Sequence, residues 1–134
     1  MRKLVLGLIL IALVAGQTGC GLNFIKKRLP PPTREADGSI LFRFQAPAAR
    51  VVQLAGNWPE NNWLAGQAQS GSFNVGVMEE SPPGSGVWTR TEKLKPGRYQ
   101  YKFVVDRVNW KEDPNNPQWT DDGYGGHNSV IDVR

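Results

Sequence analysis

From residue 37 onward, apolar side chains recur at every second position rather than at the 3.6-residue spacing of a helix. Phe42 and Phe44 alternate with Arg43 and Gln45, and the longer run 99–105 follows the same rule. A period of two is typical of strands that bury one face. The pattern predicts strands near residues 40–45, 52–54, 87–91, 99–105 and 129–133.

Turn-forming sequences separate these runs. Gly, Pro, Asn and Asp favour turns, and they mark the segments 46–49, 55–57, 82–84, 95–97, 113–117 and 122–126. Five or more short strands with frequent turns within residues 37–134 predict an all-β sandwich. No helical stripe follows residue 16. Residues 64–72 are predicted to form a mobile loop, and residues 73–78 either an extra strand or its lead-in.

The N-terminus is predicted to be a targeting signal. Arg2 and Lys3 precede an apolar run over residues 4–15, which is shorter than the roughly 20 residues of a membrane span and typical of a secretory signal. Small residues then lead to Cys20, the only cysteine of the chain. This arrangement resembles a bacterial lipoprotein signal. We therefore expect a helical signal peptide over residues 1–19 and lipid modification of Cys20.

One departure from that signal leaves an alternative open. Gln17 stands where lipoprotein signals have an aliphatic residue, and the alternative is an uncleaved signal anchor in which Cys20 stays a free thiol. Both interpretations place the rest of the chain in the bacterial cell envelope, on the non-cytoplasmic side of a membrane. Gly21 replaces the Asp that often retains lipoproteins at the inner membrane, which favours the outer membrane where one is present.

Residues 20–36 are predicted to be a lipid-anchored, flexible tether. Stable anchoring takes more than one acyl chain, and a lipoprotein cysteine typically carries several. The basic residues 26–28 suit anionic headgroups, and the three successive prolines at 30–32 form a stiff extended spacer. For both features the alternative is a solvated linker without a partner.

The positive charge of the chain is confined to its N-terminus. The whole sequence has a net charge of +4, with 16 Lys and Arg against 12 Asp and Glu. Residues 30–134 hold 11 of those cations and all 12 of the acids, which gives a net charge of −1. A broad cationic face for nucleic acid is therefore not expected in the predicted domain.

The chain lacks the motifs of common catalytic centres. A single Cys and a single His, His127, exclude a Cys/His zinc cluster and an internal disulfide. No Gly-x-Ser-x-Gly motif is present, and the adjacent acids Asp121 and Asp122 indicate a Ca²⁺ site only weakly. We therefore predict a protein that is not an enzyme and that uses no cofactor or metal.

The residues that suggest a function are aromatic rings among polar side chains. Sugars stack their C–H faces on flat rings and hydrogen-bond through their hydroxyls, so Trp or Tyr beside Lys, Asn or Gln is typical of a site for a neutral glycan. Trp63 and Trp110 have amide neighbours, and Lys102 lies on the polar face of its strand. Tyr124 and Asn128 flank a Gly-Gly sequence. These five residues are candidates for binding a glycan.

The other three tryptophans are interpreted from their surroundings. Trp58 shares the polar loop of Trp63. It either caps the end of the sandwich or joins the ligand surface, and it is kept as a sixth candidate. Trp88 lies within a β-rich run and Trp119 lies beside Pro117, and both are predicted to pack against the core.

The order of motifs matches a known family. The most specific stretch is Pro96-Gly97-Arg98-Tyr99-Gln100-Tyr101-Lys102-Phe103. Further matches lie at residues 42–47, 52–56, 62–63, 86–88, 94–106, 110–114 and 128–130. Over residues 39–133 the chain resembles carbohydrate-binding module family 48. That family includes the glycogen-binding domain of the AMP-activated protein kinase β subunit and the N-terminal domain of isoamylases and branching enzymes. The resemblance implies an early-set immunoglobulin-like β-sandwich.

The resemblance also implies a sugar site. Members that bind glycogen use two Trp, a Lys, an aliphatic residue and an Asn. By motif position these fall on Trp63, Trp110, Lys102, Tyr124 and Asn128. Tyr124 departs from the aliphatic residue and can still stack.

From these observations we expect a lipid-anchored, non-catalytic protein whose residues 37–134 bind an α-glucan (glycogen, starch or maltodextrin-like) or another neutral glycan. The alternative is an envelope protein-interaction or structural module that keeps the fold without binding sugar, its protein partner unknown.

Overall fold

The computed structural model of the chain describes residues 28–134. The predicted signal peptide, Cys20 and the first part of the predicted tether lie outside the described residues. Within the described part of the chain, no helix is long and apolar enough to cross a membrane.

Two antiparallel sheets form a sandwich. In chain order the elements are β1 (Thr33–Arg34), β2 (Ile40–Gln45), β3 (Val52–Gly56), a 3₁₀ turn (Asn62–Leu64), α1 (Gly66–Ser70), β4 (Glu79–Glu80), β5 (Val87–Glu92), β6 (Gly97–Val105), β7 (Asn109–Lys111), β8 (Trp119–Asp121) and β9 (His127–Val133). Sheet A has the strand order β1-β2-β5-β4. Sheet B has the order β3-β6-β9-β8, and β7 pairs with one end of β6. The predicted all-β, immunoglobulin-like sandwich is confirmed.

The sandwich begins earlier than the predicted boundary at residue 37. Thr33 and Arg34 pair with the start of β2, and the Arg34 guanidinium donates to the carbonyl of Arg134 (2.8 Å). The tether predicted for residues 20–36 therefore ends before β1, because its last residues belong to sheet A. The overlooked signal is Asp37-Gly38, a turn sequence that reverses the chain between β1 and β2.

The stretch between β3 and β4 is more ordered than predicted. Helix α1 lies within the predicted loop. After it, Leu54 donates its backbone N–H to the carbonyl of Gly76 (2.7 Å), and Met78 donates to the carbonyl of Val52 (2.9 Å). The chain therefore pairs with the outer edge of β3 before it enters sheet A as β4. This pairing covers an edge that would otherwise expose unpaired backbone groups.

Aromatic rings fill the core between the sheets. Phe44 stacks on Phe103 with ring centroids 4.5 Å apart, and Phe42 meets Tyr101 edge-on at 5.0 Å. Trp88 is 8% exposed and donates its indole N–H to a backbone carbonyl, so its predicted core position is confirmed.

A buried polar network holds the chain beneath β6 and β9. The Tyr101 hydroxyl donates to the Asp113 carboxylate (2.7 Å) and accepts a hydrogen bond from Asn116 (2.9 Å). The backbone N–H of Asp113 donates to the Ser129 hydroxyl (2.8 Å). Burial raises the pKa of both Tyr101 and Asp113. The network fixes the segment that follows β7 and so steadies the strand that carries Trp110.

Strand β6 divides the core from the outer face of sheet B. Successive strand residues point to opposite sides, so Tyr101 and Phe103 are buried between the sheets while Lys102 points outward. The register of β9 places Asn128 on the same outward side, and Trp110 pairs with an outward-pointing residue of β6. The alternation therefore brings a lysine, an amide and an indole to one surface.

Candidate functional site

An open groove of about 440 Å³ lies on the outer face of sheet B. Its walls come from β6, β7 and β9 and from the loops that follow β3 and β8. The residues that line it are Asn57, Trp63, Gln100, Lys102, Trp110, Asp122, Tyr124 and Asn128. Five of the six candidates from the sequence therefore lie together, although they come from distant parts of the chain.

Trp63 reaches the groove from a strained turn. Asn62, Trp63 and Leu64 have φ values of 42°, 54° and 64°, left-handed conformations that cost roughly 1–2 kcal/mol per residue. Asn61 supports the turn, because its buried carboxamide accepts the N–H of Gly56 (2.7 Å) and donates to the carbonyl of Leu54 (2.7 Å). Such strain is characteristic of functional positions, and here it holds the indole of Trp63 against a small apolar cluster on sheet B.

Trp110 is presented by the hairpin between β6 and β7. Asp106 and Arg107 in its turn have φ values of 49° and 67°. The Asp106 carboxylate accepts the backbone N–H groups of Arg50 (2.7 Å) and Val51 (3.1 Å), and these hydrogen bonds lower the pKa of Asp106. The Trp110 side chain is 46% exposed, so a large apolar ring faces solvent beside the polar floor of the groove.

An ion pair lies in the floor of the groove. The Lys102 Nζ is 2.8 Å from the Asp122 Oδ2, and the two side chains are only 17% and 10% exposed. The hydrogen bond from Lys102, with those from the backbone N–H groups of Tyr124 and Gly126, lowers the pKa of Asp122 to about 2. Asp122 was not predicted as a groove residue. The only signal in the sequence was that Asp122 belongs to a pair of adjacent acids. Its ion-pair partner, Lys102, is twenty residues away in the chain.

The same carboxylate shapes the loop over residues 122–126. The Asp122 Oδ1 accepts the N–H groups of Tyr124 (2.7 Å) and Gly126 (3.0 Å). A Cβ at Gly126 would lie 2.8 Å from the Asp122 Oδ2, so a larger residue would displace the carboxylate. The loop leaves Tyr124 94% exposed, which places a free aromatic ring at the mouth of the groove.

Three carboxamides complete the polar floor. Asn128 donates to the Gln100 Oε1 (2.9 Å), and the Asn57 Oδ1 accepts the backbone N–H of Gln100 (3.0 Å). Asn57 and Gln100 were not predicted as groove residues. The available signal for Gln100 was its place on the polar face of β6, two residues from Lys102. Each carboxamide has four hydrogen-bonding positions, so positions remain for a ligand.

Trp58 does not line the groove. It is 2% exposed, with its ring 6.2 Å from those of both Phe42 and Tyr99. A Cβ at Gly56 would lie 1.9 Å from the Trp58 ring, so the glycine makes room for the indole inside the sandwich. The prediction that Trp58 binds the ligand is therefore wrong, and its other interpretation, a cap on the end of the core, is correct.

Trp119 shows the opposite error. It is 56% exposed, and its ring centroid lies 3.9 Å from that of His127. It pairs with Ser129 on the edge strand β8, so alternation directs it away from the side that carries Asn128. The predicted core packing of Trp119 is wrong. Its strand β8 lies at the edge of sheet B, where more than half of the residue is exposed to solvent.

The groove combines apolar rings with hydrogen-bonding groups, as expected of a site for a neutral glycan. Three rings supply flat apolar faces, while three amides and one ammonium group supply hydrogen bonds. Of the eight lining residues only Asp122 carries a carboxylate, whereas glycoside hydrolysis typically uses two. Across residues 28–134, no cluster of three His, Cys, Asp or Glu side chains is arranged to hold a metal ion.

An aromatic, amide-lined groove on one sheet face of a β-sandwich has the chemistry expected of a carbohydrate-binding module. The family model described as the glycogen recognition site of AMP-activated protein kinase matches residues 39–134. Because this match covers more than two thirds of the chain, the protein belongs to that family of non-catalytic carbohydrate-binding modules. No curated protein matches the chain.

Proposed function

We propose that the protein is a non-catalytic lipoprotein of the bacterial cell envelope that binds an α-glucan. Trp63 and Trp110 stack on glucose faces, Lys102 and Asn128 hydrogen-bond hydroxyl groups, and Tyr124 packs against a further ring. The observation that supports this proposal most strongly is the convergence of these five side chains on one open groove.

The expected affinity follows from the size of these contacts. Covering one exposed ring contributes about 1–3 kcal/mol, and each hydrogen bond exchanged with water contributes about 0.5–1.5 kcal/mol. Binding also costs several kcal/mol, because the ligand loses translational and rotational entropy. Single sites should therefore bind in the micromolar to millimolar range. Many copies held on one membrane would bind a long glucan more tightly through multivalency.

The membrane anchor is proposed from the sequence. Its support is the apolar leader and the single Cys20 that follows it. Because β1 begins at Thr33, residues 20–32 connect the lipid to the sandwich, and they can reach at most about 45 Å. The groove would then sample the space next to the membrane, where the ligand is extracellular starch or a maltodextrin rather than cytoplasmic glycogen.

The anchor is tested by metabolic labelling. Cells that express the full chain are grown with a fatty-acid analogue, and we expect label on the wild type and none on Cys20→Ser. Globomycin, which blocks the lipoprotein signal peptidase, should leave the longer precursor. No label on either protein, together with a chain length that globomycin does not change, would support the uncleaved anchor.

The sugar site is tested by affinity electrophoresis and pull-down on amylopectin. The full chain, purified in detergent, is compared with Trp63→Ala and Trp110→Ala. We expect each variant to bind roughly tenfold more weakly, because each loses the apolar area of one stacking ring.

The matched control is Trp119→Ala, which removes an indole that is 56% exposed and lies outside the groove, and it should bind like the wild type. Equally weak retention of all four proteins would reject the sugar proposal. It would favour the envelope protein-interaction or structural module instead.

A further inference from the structure

The charge in the groove is balanced. Of the eight lining residues, Lys102 and Asp122 carry the charges, and they pair with each other at 2.8 Å. The remaining six are amides or aromatic residues. A ligand therefore meets a surface with no net charge, although it contains a lysine.

Asp122 contacts two parts of the groove that would touch a ligand, the Lys102 ammonium group and the loop that carries Tyr124. Its Oδ2 accepts from the ammonium of Lys102, and its Oδ1 accepts from the N–H groups of Tyr124 and Gly126. Both charged side chains are mostly buried, so solvent screens this pair less than an exposed one. One carboxylate thus sets the direction of the ammonium and the shape of the Tyr124 loop.

We propose that Asp122 is the positioning residue that makes the groove selective for uncharged glycans, an inference that rests on the proposed sugar-binding function. An ammonium group has three donors, so Lys102 can keep Asp122 and still donate to sugar hydroxyls. A sulfate, phosphate or uronate that approached Lys102 would also approach the Asp122 carboxylate. Specificity often depends on such a repulsive element against the wrong ligand.

The substitution that tests this is Asp122→Asn. The asparagine keeps an oxygen that accepts the two loop N–H groups, so the loop is retained while the negative charge is lost. The matched control is Asp132→Asn, which makes the same change in charge at the exposed pair with Arg98 on the same sheet. Thermal unfolding of each variant reports whether the fold is kept.

Binding of the full chain is measured on two pairs of polymers. Amylopectin is compared with cellulose, and dextran sulfate is compared with uncharged dextran. We expect Asp122→Asn to bind amylopectin about tenfold more weakly, because Lys102 loses its charged partner. We expect the same variant to gain about tenfold for dextran sulfate over dextran, in a salt-sensitive manner. Adding Lys102→Gln to Asp122→Asn should remove that gain.

The outcomes separate this inference from the proposed function. If the wild type binds amylopectin and Asp122→Asn behaves like Asp132→Asn on both pairs, the inference is overturned and the sugar site stands. A gain for dextran sulfate that persists in the double variant overturns it as well, because the gain then does not involve Lys102. A wild type that fails to bind amylopectin, and every other neutral glucan tried, overturns both.

Discussion

The two faces of strand β6 have different environments, although residues of the two faces alternate along the nine residues of the strand. Tyr101 and Phe103 on the inner face are fully buried against sheet A, whereas Gln100 and Lys102 on the outer face line the groove. The inner face is held by aromatic packing and one buried network, and the outer face by an ion pair and amide hydrogen bonds. Packing therefore supports the fold from one side, while the other side remains available to a ligand.

The tryptophans also differ in environment according to their position in the sandwich. Trp58 and Trp63 lie five residues apart in one polar loop, yet one indole is enclosed in the core and the other lines the groove. Trp119 is exposed but faces away from the groove. An aromatic residue in a polar segment therefore does not identify a binding site until the sandwich shows which side it is on.

Replacing Trp58 should produce the largest effect on stability. Trp58→Ala would leave a large cavity beside Phe42 and is expected to reduce the free energy of unfolding by about 3–5 kcal/mol. Trp119→Ala, at the exposed edge, should change it by less than about 0.5 kcal/mol. Denaturant unfolding of both variants measures the difference. Equal losses would contradict the assignment of the two indoles to core and surface.

The inner network of β6 gives a second, smaller effect. Tyr101→Phe removes the hydroxyl that donates to the buried Asp113 and should cost about 1–3 kcal/mol, because a buried carboxylate loses a partner. Tyr99→Phe makes the same chemical change on the same face of the strand, where the hydroxyl donates to an exposed carbonyl. That control should lose at most about 1 kcal/mol. Similar losses would show that burial of the network contributes little.

The outer ion pair predicts a dependence on acid pH. The pKa of Asp122 falls from 3.8 to about 2 in the folded state, so the unfolded chain binds this proton more readily than the native one. The stabilisation is then complete above about pH 4 and is lost as the pH falls through 2. Unfolding free energies between pH 5 and 2 should decline more for the wild type than for Asp122→Asn, with Asp132→Asn as the control. Parallel curves for the wild type and Asp122→Asn would contradict the assignment.

Much of the fold could be predicted because the relevant signals are local. The alternation of residues 99–105 correctly separated the buried aromatic residues from Lys102. The predicted strands near residues 40–45, 52–54, 87–91 and 129–133 correspond to β2, β3, β5 and β9. Short paired segments were missed, as at β1, because two residues carry no detectable period.

The groove was only partly predictable for a different reason. The motifs around Trp63, Lys102, Trp110 and Asn128 identified residues that the structure brings together, but neither the ion pair with Asp122 nor the enclosure of Trp58 follows from a pattern. Lys102 and Asp122 are separated by twenty residues. The enclosure of Trp58 depends on the space that Gly56 leaves.

By itself, the sequence determined the family, the all-β architecture and the side of β6 to which each residue points. These follow from motif order and from the two-residue period of a strand, which is a property of neighbouring backbone units. The tertiary structure decided which indoles are enclosed, which segment covers the edge of β3 and which carboxylate neutralises Lys102. These features depend on contacts between segments that are far apart in the chain. The strength of such contacts is set by the distance between the groups and by the exclusion of solvent, which no local sequence pattern records.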